Sequence, residues 1–295
     1  MSKRLIVKTT LSIGLLLASA LLYGQEIRIQ IISDQRDQLV LDLLELALSK
    51  SDSNYHVIEQ KYDENEARTT AHLMNGKIDL IWAGASPDKE EKLRAIYFPI
   101  SRGLLGYRIF LIRSDDQQRF SKITNLNDLM RLSAGQGVFW GDTRILKSAN
   151  LPVETTVQYA NLFKMLAAER FDYFPRAIYE PWEELDKYSH HQLAVEQELL
   201  LYYPYAMYFY VHRNNQKLHD DLYTGLMLAT EDGSYNEMLF NDPLLKQILS
   251  KTNIPKRRIM TIDNPYLAEE LDRSNPALWV SYEQLVEISK KIDKK

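Results

Sequence analysis

Apolar and polar positions alternate with two different periods along this chain. "IRIQIIS" (Ile27–Ser33) places apolar residues at every second position and then continuously, as a strand covered on both faces does. "QLVLDLLELALSK" (Gln38–Lys50) carries leucines at helical spacing. "YHVIEQK" (Tyr55–Lys61) predicts a second strand, Glu64–Asn75 a helix, and Ile78–Trp82 a third strand. Strand, helix, strand, helix, strand with short links is the pattern of a mostly parallel sheet carrying helices on its faces.

The pattern repeats further on. "YRIFLIRSDD" (Tyr107–Asp116) is strand-like, and "ITNLNDLMRL" (Ile123–Leu132) predicts a short helix capped by Asn125 or Asn127. "GQGVFWGDTRIL" (Gly135–Leu146) reads as a strand feeding a helix, with Asp142 as its expected N-cap. Val153–Tyr159 is an expected strand, Asn161–Arg170 a helix, and Phe171–Leu185 a strand breaking into a helix. The aromatic run Leu199–Arg213 is strand-like with Pro204 interrupting it, and helices are expected at Gln216–Ala229, Tyr235–Leu249, Pro265–Leu271 and Tyr282–Ile292.

The first residues stand apart from this pattern. Lys3, Arg4 and Lys8 precede an apolar run, Leu11–Leu22, that is shorter than the roughly 20 residues needed to span a bilayer. Residues 1–24 have the layout of a secretory signal peptide, with cleavage after Gly24 or after Ala20, and an uncleaved anchor as the alternative. Without that leader 271 residues remain, and the formal charge moves from −4 to −7 because three basic residues leave with it. An acidic chain without a basic face is not built for a phosphate backbone, so no nucleic-acid partner is expected. The chain has no cysteine, which excludes disulfides, thiolate metal sites and a lipid-modified N-terminal cysteine. An exported protein without disulfides fits the periplasm.

Four segments in order carry a resemblance. "LMNGKIDLIWAG" followed by "SPDKEEKLRAIYFPIS", then "NLNDLMRLSAGQGVFWGD", "YANLFKMLAAERFDYFPRAIYE" and "LYTGLMLATEDGSYNEMLF" together resemble family 3 of the periplasmic solute-binding proteins, the amino-acid ABC-transporter type. The resemblance implies an α/β, two-lobed type II periplasmic-binding-protein fold, with mostly parallel sheets joined by a two-strand hinge. Lobe 1 would be residues 25–112 plus 207–295, and lobe 2 residues 113–206. The hinge strands would lie near Ile109–Arg113 and Ala206–Val211. Closure of two lobes over a ligand is a standard hinge motion.

This sequence departs from the family at both signature positions. The Thr-x-x-Arg turn, whose arginine clamps a ligand carboxylate, reads Ser86-Pro87-Asp88-Lys89, and lysine offers a point charge rather than a fork. The acidic residue that would hold a ligand amine falls on Ala177, with Arg176 beside it and Glu180 one turn on. Ligands of open parallel sheets sit beyond the carboxyl ends of the strands, which makes Trp82, Ser86 and Lys89 candidates in the first lobe. Arg102 and Arg108, flanking Gly103–Gly106, could pair with an anionic group or serve as hinge charges. In the second lobe Trp140 is a candidate stacking wall, Asp142 sits at a helix start, and Arg176 and Glu180 face the same expected cleft.

Catalytic signatures are absent: neither H-E-x-x-H nor G-x-S-x-G occurs, nor a glycine-rich phosphate loop, and the carboxylate pairs read as solvated helix faces. No enzyme activity, cofactor or metal is therefore expected. Two functions remain open. One is capture of a small polar ligand, amino-acid-like or anionic, for an inner-membrane ABC permease. The other is a sensor or interaction protein that uses the same clamp to signal to a membrane receptor. A monomer is expected in either case.

Overall fold

The computed structural model describes residues 24–31, 35–61 and 66–292. The leader therefore lies outside the described residues, as does the end of the expected strand at Ile32 and Ser33. The first sheet contains β1 (Gln25–Ile31), β2 (Tyr55–Lys61), β3 (Leu80–Gly84), β4 (Arg94–Ile96) and, returning from far along the chain, β11 (Met207–Val211). Their order is β2-β1-β3-β11-β4. β1 runs parallel to β2 and β3, while β11 runs antiparallel to both of its neighbours. Only Ile29 and Leu80 pair directly between β1 and β3, and a two-pronged Arg28–Asp79 contact at 2.8 Å pins that junction.

The second sheet has the order β12-β10-β5-β8, from β5 (Tyr107–Arg113), β8 (Phe174–Ala177), β10 (Leu199–Tyr202) and β12 (Arg258–Thr261), with β9 (Leu193–Val195) also on β5. A parallel pair, β6 (Ala134–Gly137) and β7 (Val153–Thr156), extends this half through a bridge from Ala134 to Tyr173. The architecture is α/β with mixed sheets. Parallel pairing holds for β1–β2, β1–β3, β6–β7 and β10–β12, but β11 is antiparallel to β3 and β4, and β5 to β8, β9 and β10, so the sheets are mixed rather than mostly parallel as expected.

The helices used below are α1 (Gln35–Ser49), α2 (Glu66–Met74), α3 (Pro87–Lys92), α4 (Gly141–Ser148), α5 (Tyr159–Ala167), α6 (Pro181–Lys187), α7 (Gln216–Glu231), α8 (Ser234–Asn241), α9 (Pro243–Thr252) and α10 (Tyr282–Ile292). The single helix expected over Tyr235–Leu249 is two. Pro243 disfavours helical backbone at Asp242, which turns extended (φ −55°, ψ 125°) and caps α9 by accepting from the Leu245 N–H at 2.6 Å. Pro265–Leu271 forms turns rather than a helix.

The crossover lies earlier than the expected hinge strands. β5 pairs with second-sheet strands from Tyr107 onward, and β11 pairs only with first-sheet strands. The connecting segments are therefore the stretch ending at Gly106 and the Tyr203–Ala206 link, where Pro204 interrupts strand pairing. They touch: the Tyr203 N–H donates to the Gly106 carbonyl at 3.2 Å, and a Cβ on Gly106 would fall 2.0 Å from the Tyr203 carbonyl oxygen. A third passage joins α9 to β12, which covers the free edge of β10 in the second sheet, so the C-terminal segment does not stay in lobe 1 as expected. β12 itself offers little strand pattern, with only Ile259 and Met260 apolar, and exists because β10 presents an edge.

Because only hydrogen fits at Gly106, Gly106→Ala should lower unfolding stability by about 1–3 kcal/mol, read from denaturant titration.

Candidate functional site

A cleft of about 940 Å³ is lined from both halves of the molecule. That is at the upper end of the usual range for small-molecule sites, roughly 300–1,000 Å³. Six of the nine residues singled out in the sequence line it: Trp82, Arg108, Trp140, Asp142, Arg176 and Glu180.

The second half holds a buried charge network at the cleft. β5 supplies Arg108 and β8 supplies Arg176; α4 supplies Asp142, α6 Glu184, and the residue before α6 is Glu180. Arg108 Nη2 contacts Asp142 at 2.7 Å, and Nη1 lies 3.5 Å from Glu180. Arg176 reaches Glu184 with Nε at 2.9 and 3.0 Å and Nη2 at 2.6 Å, and Glu180 at 3.1 Å. Asp142 also accepts from the Tyr203 hydroxyl, and Glu184 from that of Tyr159. Burial alone would lower the pKa of Arg108, but Asp142, Tyr203 and Glu180 outweigh it and hold the guanidinium above its ordinary value. Burial likewise opposes the charge of Arg176, and Glu180 and Glu184 raise its pKa. Asp142 is pushed up by burial against the pull of Arg108. Asp142 is thus not the helix N-cap expected from sequence; α4 begins one residue earlier, at Gly141, and the carboxylate turns inward to Arg108.

Aromatic rings wall the cleft. Trp140 stacks on Phe174 with planes 15° apart, and the Arg176 guanidinium sits 5.1 Å from the Trp140 ring centre. Trp82, in the middle of β3, which runs on to Gly84 rather than ending at Trp82 as expected, donates its indole N–H to Asp37 Oδ1 at 3.0 Å, which turns its ring into the wall. The two halves meet at Gly141. A Cβ there would fall 2.2 Å from the Ala85 carbonyl oxygen and 2.5 Å from the Tyr205 hydroxyl. An exposed pair, Arg144 on α4 and Asp88 on α3, also bridges the halves at 2.8 Å.

The other three candidates are elsewhere. Ser86 caps α3, accepting from the Lys89 N–H at 3.4 Å. Lys89 is buried against Ser86 and pairs with Glu66, which itself lines the cleft, so the lysine charge is spent within the first half. Arg102 turns away into the C-terminal segment, donating to the Asn236 side chain at 2.8 Å and to the carbonyl of Pro276, while burial lowers its pKa. Asp37, Ser101, Tyr159 and Glu184 line the cleft without having been singled out, and so does Tyr205, which as an aromatic beside the return strand reads from sequence as hinge packing. A single acid, serine or tyrosine carries no spacing signal, and only packing brings these together. Among the described residues, no group of three or more His, Asp or Glu is placed to hold a metal.

No protein-family model matches the sequence, and no curated protein matches it. Solved structures do match in fold. A probable amino-acid ABC transporter extracellular-binding protein from Bacillus subtilis is 14% identical, with TM-score 0.55, covering 74% of this chain and 97% of that one. The VFT2 domain of Bordetella pertussis BvgS is 15% identical, with TM-score 0.54, over 73% and 91%. A histidine kinase sensor domain with similarity to periplasmic binding proteins is 13% identical, with TM-score 0.52, over 73% and 94%. The chain has the two-lobed periplasmic-binding-protein fold, and at these identities the likeness reaches no further than fold.

Two outcomes test the electrostatics. Glu184→Gln leaves the buried Arg176 short of its main partner and should destabilise the protein by about 3 kcal/mol in a denaturant titration. On α3, Glu90 is pushed up from 4.5 to about 7, chiefly by burial, with Glu270 adding to it and Tyr97 and Lys89 opposing. Its protonated form is preferred in the fold, so that stability is fully present below about pH 4.5 and is lost as pH rises through about 7. Glu90→Gln should flatten the melting temperature against pH over that window and melt above the wild type at pH 8.

Proposed function

We propose that this protein is a periplasmic solute-binding clamp, which holds a small molecule between its halves and presents it to a membrane partner such as an ABC permease. The observation that carries this is the cleft lined from both halves, with aromatic walls and buried polar groups. The activity proposed is binding, with no turnover step. The fold likeness to the binding protein from Bacillus subtilis supports this reading. Among the described residues no helix is long and apolar enough to cross a membrane.

An anionic ligand, expected from Arg102, Arg108 and Arg176, finds little support. Arg102 lies outside the cleft, and the other two are matched by Asp142, Glu180 and Glu184. An anion would have to break a buried pair, at about 3–5 kcal/mol, before gaining its own.

The second reading, a sensor that signals to a membrane receptor, is favoured by the third passage. Arg102 and Tyr107 near the crossover hold the C-terminal segment through the carbonyls of Pro276 and Val280, so lobe movement would be passed to that segment. The fold is shared with sensor domains as well. Solute-dependent loss of hydrogen-exchange protection confined to residues 262–292 is the expected sign of this role.

The clamp itself is tested with paired labels. The chain lacks native cysteine, so Glu91→Cys on α3 and Lys147→Cys on α4 can be spin-labelled cleanly. A solute that binds the cleft should change the distance between labels and raise the melting point, by about 2.7 kcal/mol of stabilisation at 100 times its dissociation constant. A binding solute that leaves the distance unchanged overturns the clamp.

A further inference from the structure

The balance of charge around the cleft narrows the ligand class. Within the network two arginines face three carboxylates. Beyond it, Asp37, Glu66, Glu183 and Asp242 line the cleft against Arg68 and Lys187. Lys89, behind the wall, offsets Glu66, and among the described residues the lining still keeps a negative excess. A cleft lined by one sign of charge with low-dielectric walls concentrates ions of the other sign. Trp82 adds a π face, which attracts a cation and gives an anion nothing, whereas the rings of Trp140 and Tyr205 already meet the guanidiniums of Arg176 and Arg108.

Two further observations point to a ligand. Ser101 lines the cleft with only 7% of its surface exposed, and its hydroxyl has no hydrogen-bond partner among the described residues. A buried hydroxyl left in that state is costly unless something bonds to it, and a ligand N–H in the cleft would do so. At the lip, Val138, Phe139 and Val157 are 41%, 50% and 55% exposed, and all three line the same cleft. Large apolar side chains left in water beside a polar cleft mark the place for an apolar part of the ligand.

Resting on the clamp reading above, we infer that the cleft takes an organic cation with an apolar arm, an amine or guanidine that needs no carboxylate of its own. The ammonium or guanidinium sits toward the carboxylates and Ser101, and the arm lies along Val138, Phe139 and Val157. The cleft volume has room for both parts.

Titration calorimetry on the full chain with agmatine, 1,5-diaminopentane and 2-phenylethylamine, against glutamate and citrate, tests this. At least one amine should bind, and glutamate and citrate should not. Binding should weaken several-fold as salt rises from about 0.01 M to about 0.15 M, where the screening length shrinks from about 30 to about 8 Å. Asp242→Asn keeps a side chain that can cap α9, and together with Ser101→Ala should weaken amine binding about tenfold or more, with the melting point of the unliganded variant checking that it folds. Binding of glutamate or citrate without any amine overturns the inference, as does amine binding indifferent to both substitutions. The Glu91/Lys147 label pair separates the two claims. An anion that moves the labels overturns the ligand class and leaves the clamp; an amine that binds without moving them overturns the clamp and leaves the class. If no amine binds, the class is overturned whatever the labels do.

Discussion

The cleft depends on how two buried arginines are neutralised. Arg108 and Arg176 project from neighbouring strands of one sheet, each almost wholly out of water. A buried guanidinium without a partner is too costly to keep. Asp142 near the start of α4, Glu180 just before α6 and Glu184 within it all turn inward to these guanidiniums. Trp140 lies over Arg176 as part of the same arrangement. One buried charge network thus joins the acids to the aromatic wall at the cleft.

The same network changes what an arginine in a cleft means. Read one at a time, three arginines near a binding cleft suggest an anion. Here Arg176 already holds Glu184 in a fork-like contact and Arg108 meets Asp142 and Glu180 inside the protein, while Arg102 faces the C-terminal segment. Among the described residues, what the lining keeps beyond that network is a negative excess, the Trp82 ring and the buried Ser101 hydroxyl, a different chemistry from that of the residues counted singly.

The halves are held by close backbone approach as much as by side chains. Gly106 against Tyr203 at the crossover and Gly141 against Ala85 across the cleft are contacts that any Cβ would prevent. Arg102, in left-handed backbone at φ 50° beside Gly103 at φ 76°, turns the first connecting segment and ties it to Pro276. The links between the halves are thus short and tightly packed, and the segment after β12 is tied to the first of them.

Hydrophobic periodicity by itself determined the alternation of strands and helices, the bounds of β2 and α10, and the interruption at Pro204, because these follow from local period and backbone restriction. The motif order determined the two-lobed fold, and expected strand ends located Trp82, Trp140 and Arg176 at the cleft. Tertiary structure alone decided that β12 joins the second sheet, since a strand of four residues exists only where another strand leaves an edge unpaired. It alone decided that Asp142 serves Arg108 rather than a helix end, and that Lys89 and Arg102 are spent elsewhere. A charge is visible in a sequence; which opposite charge lies within 3 Å of it, over separations of dozens of residues, is settled only when the chain is packed.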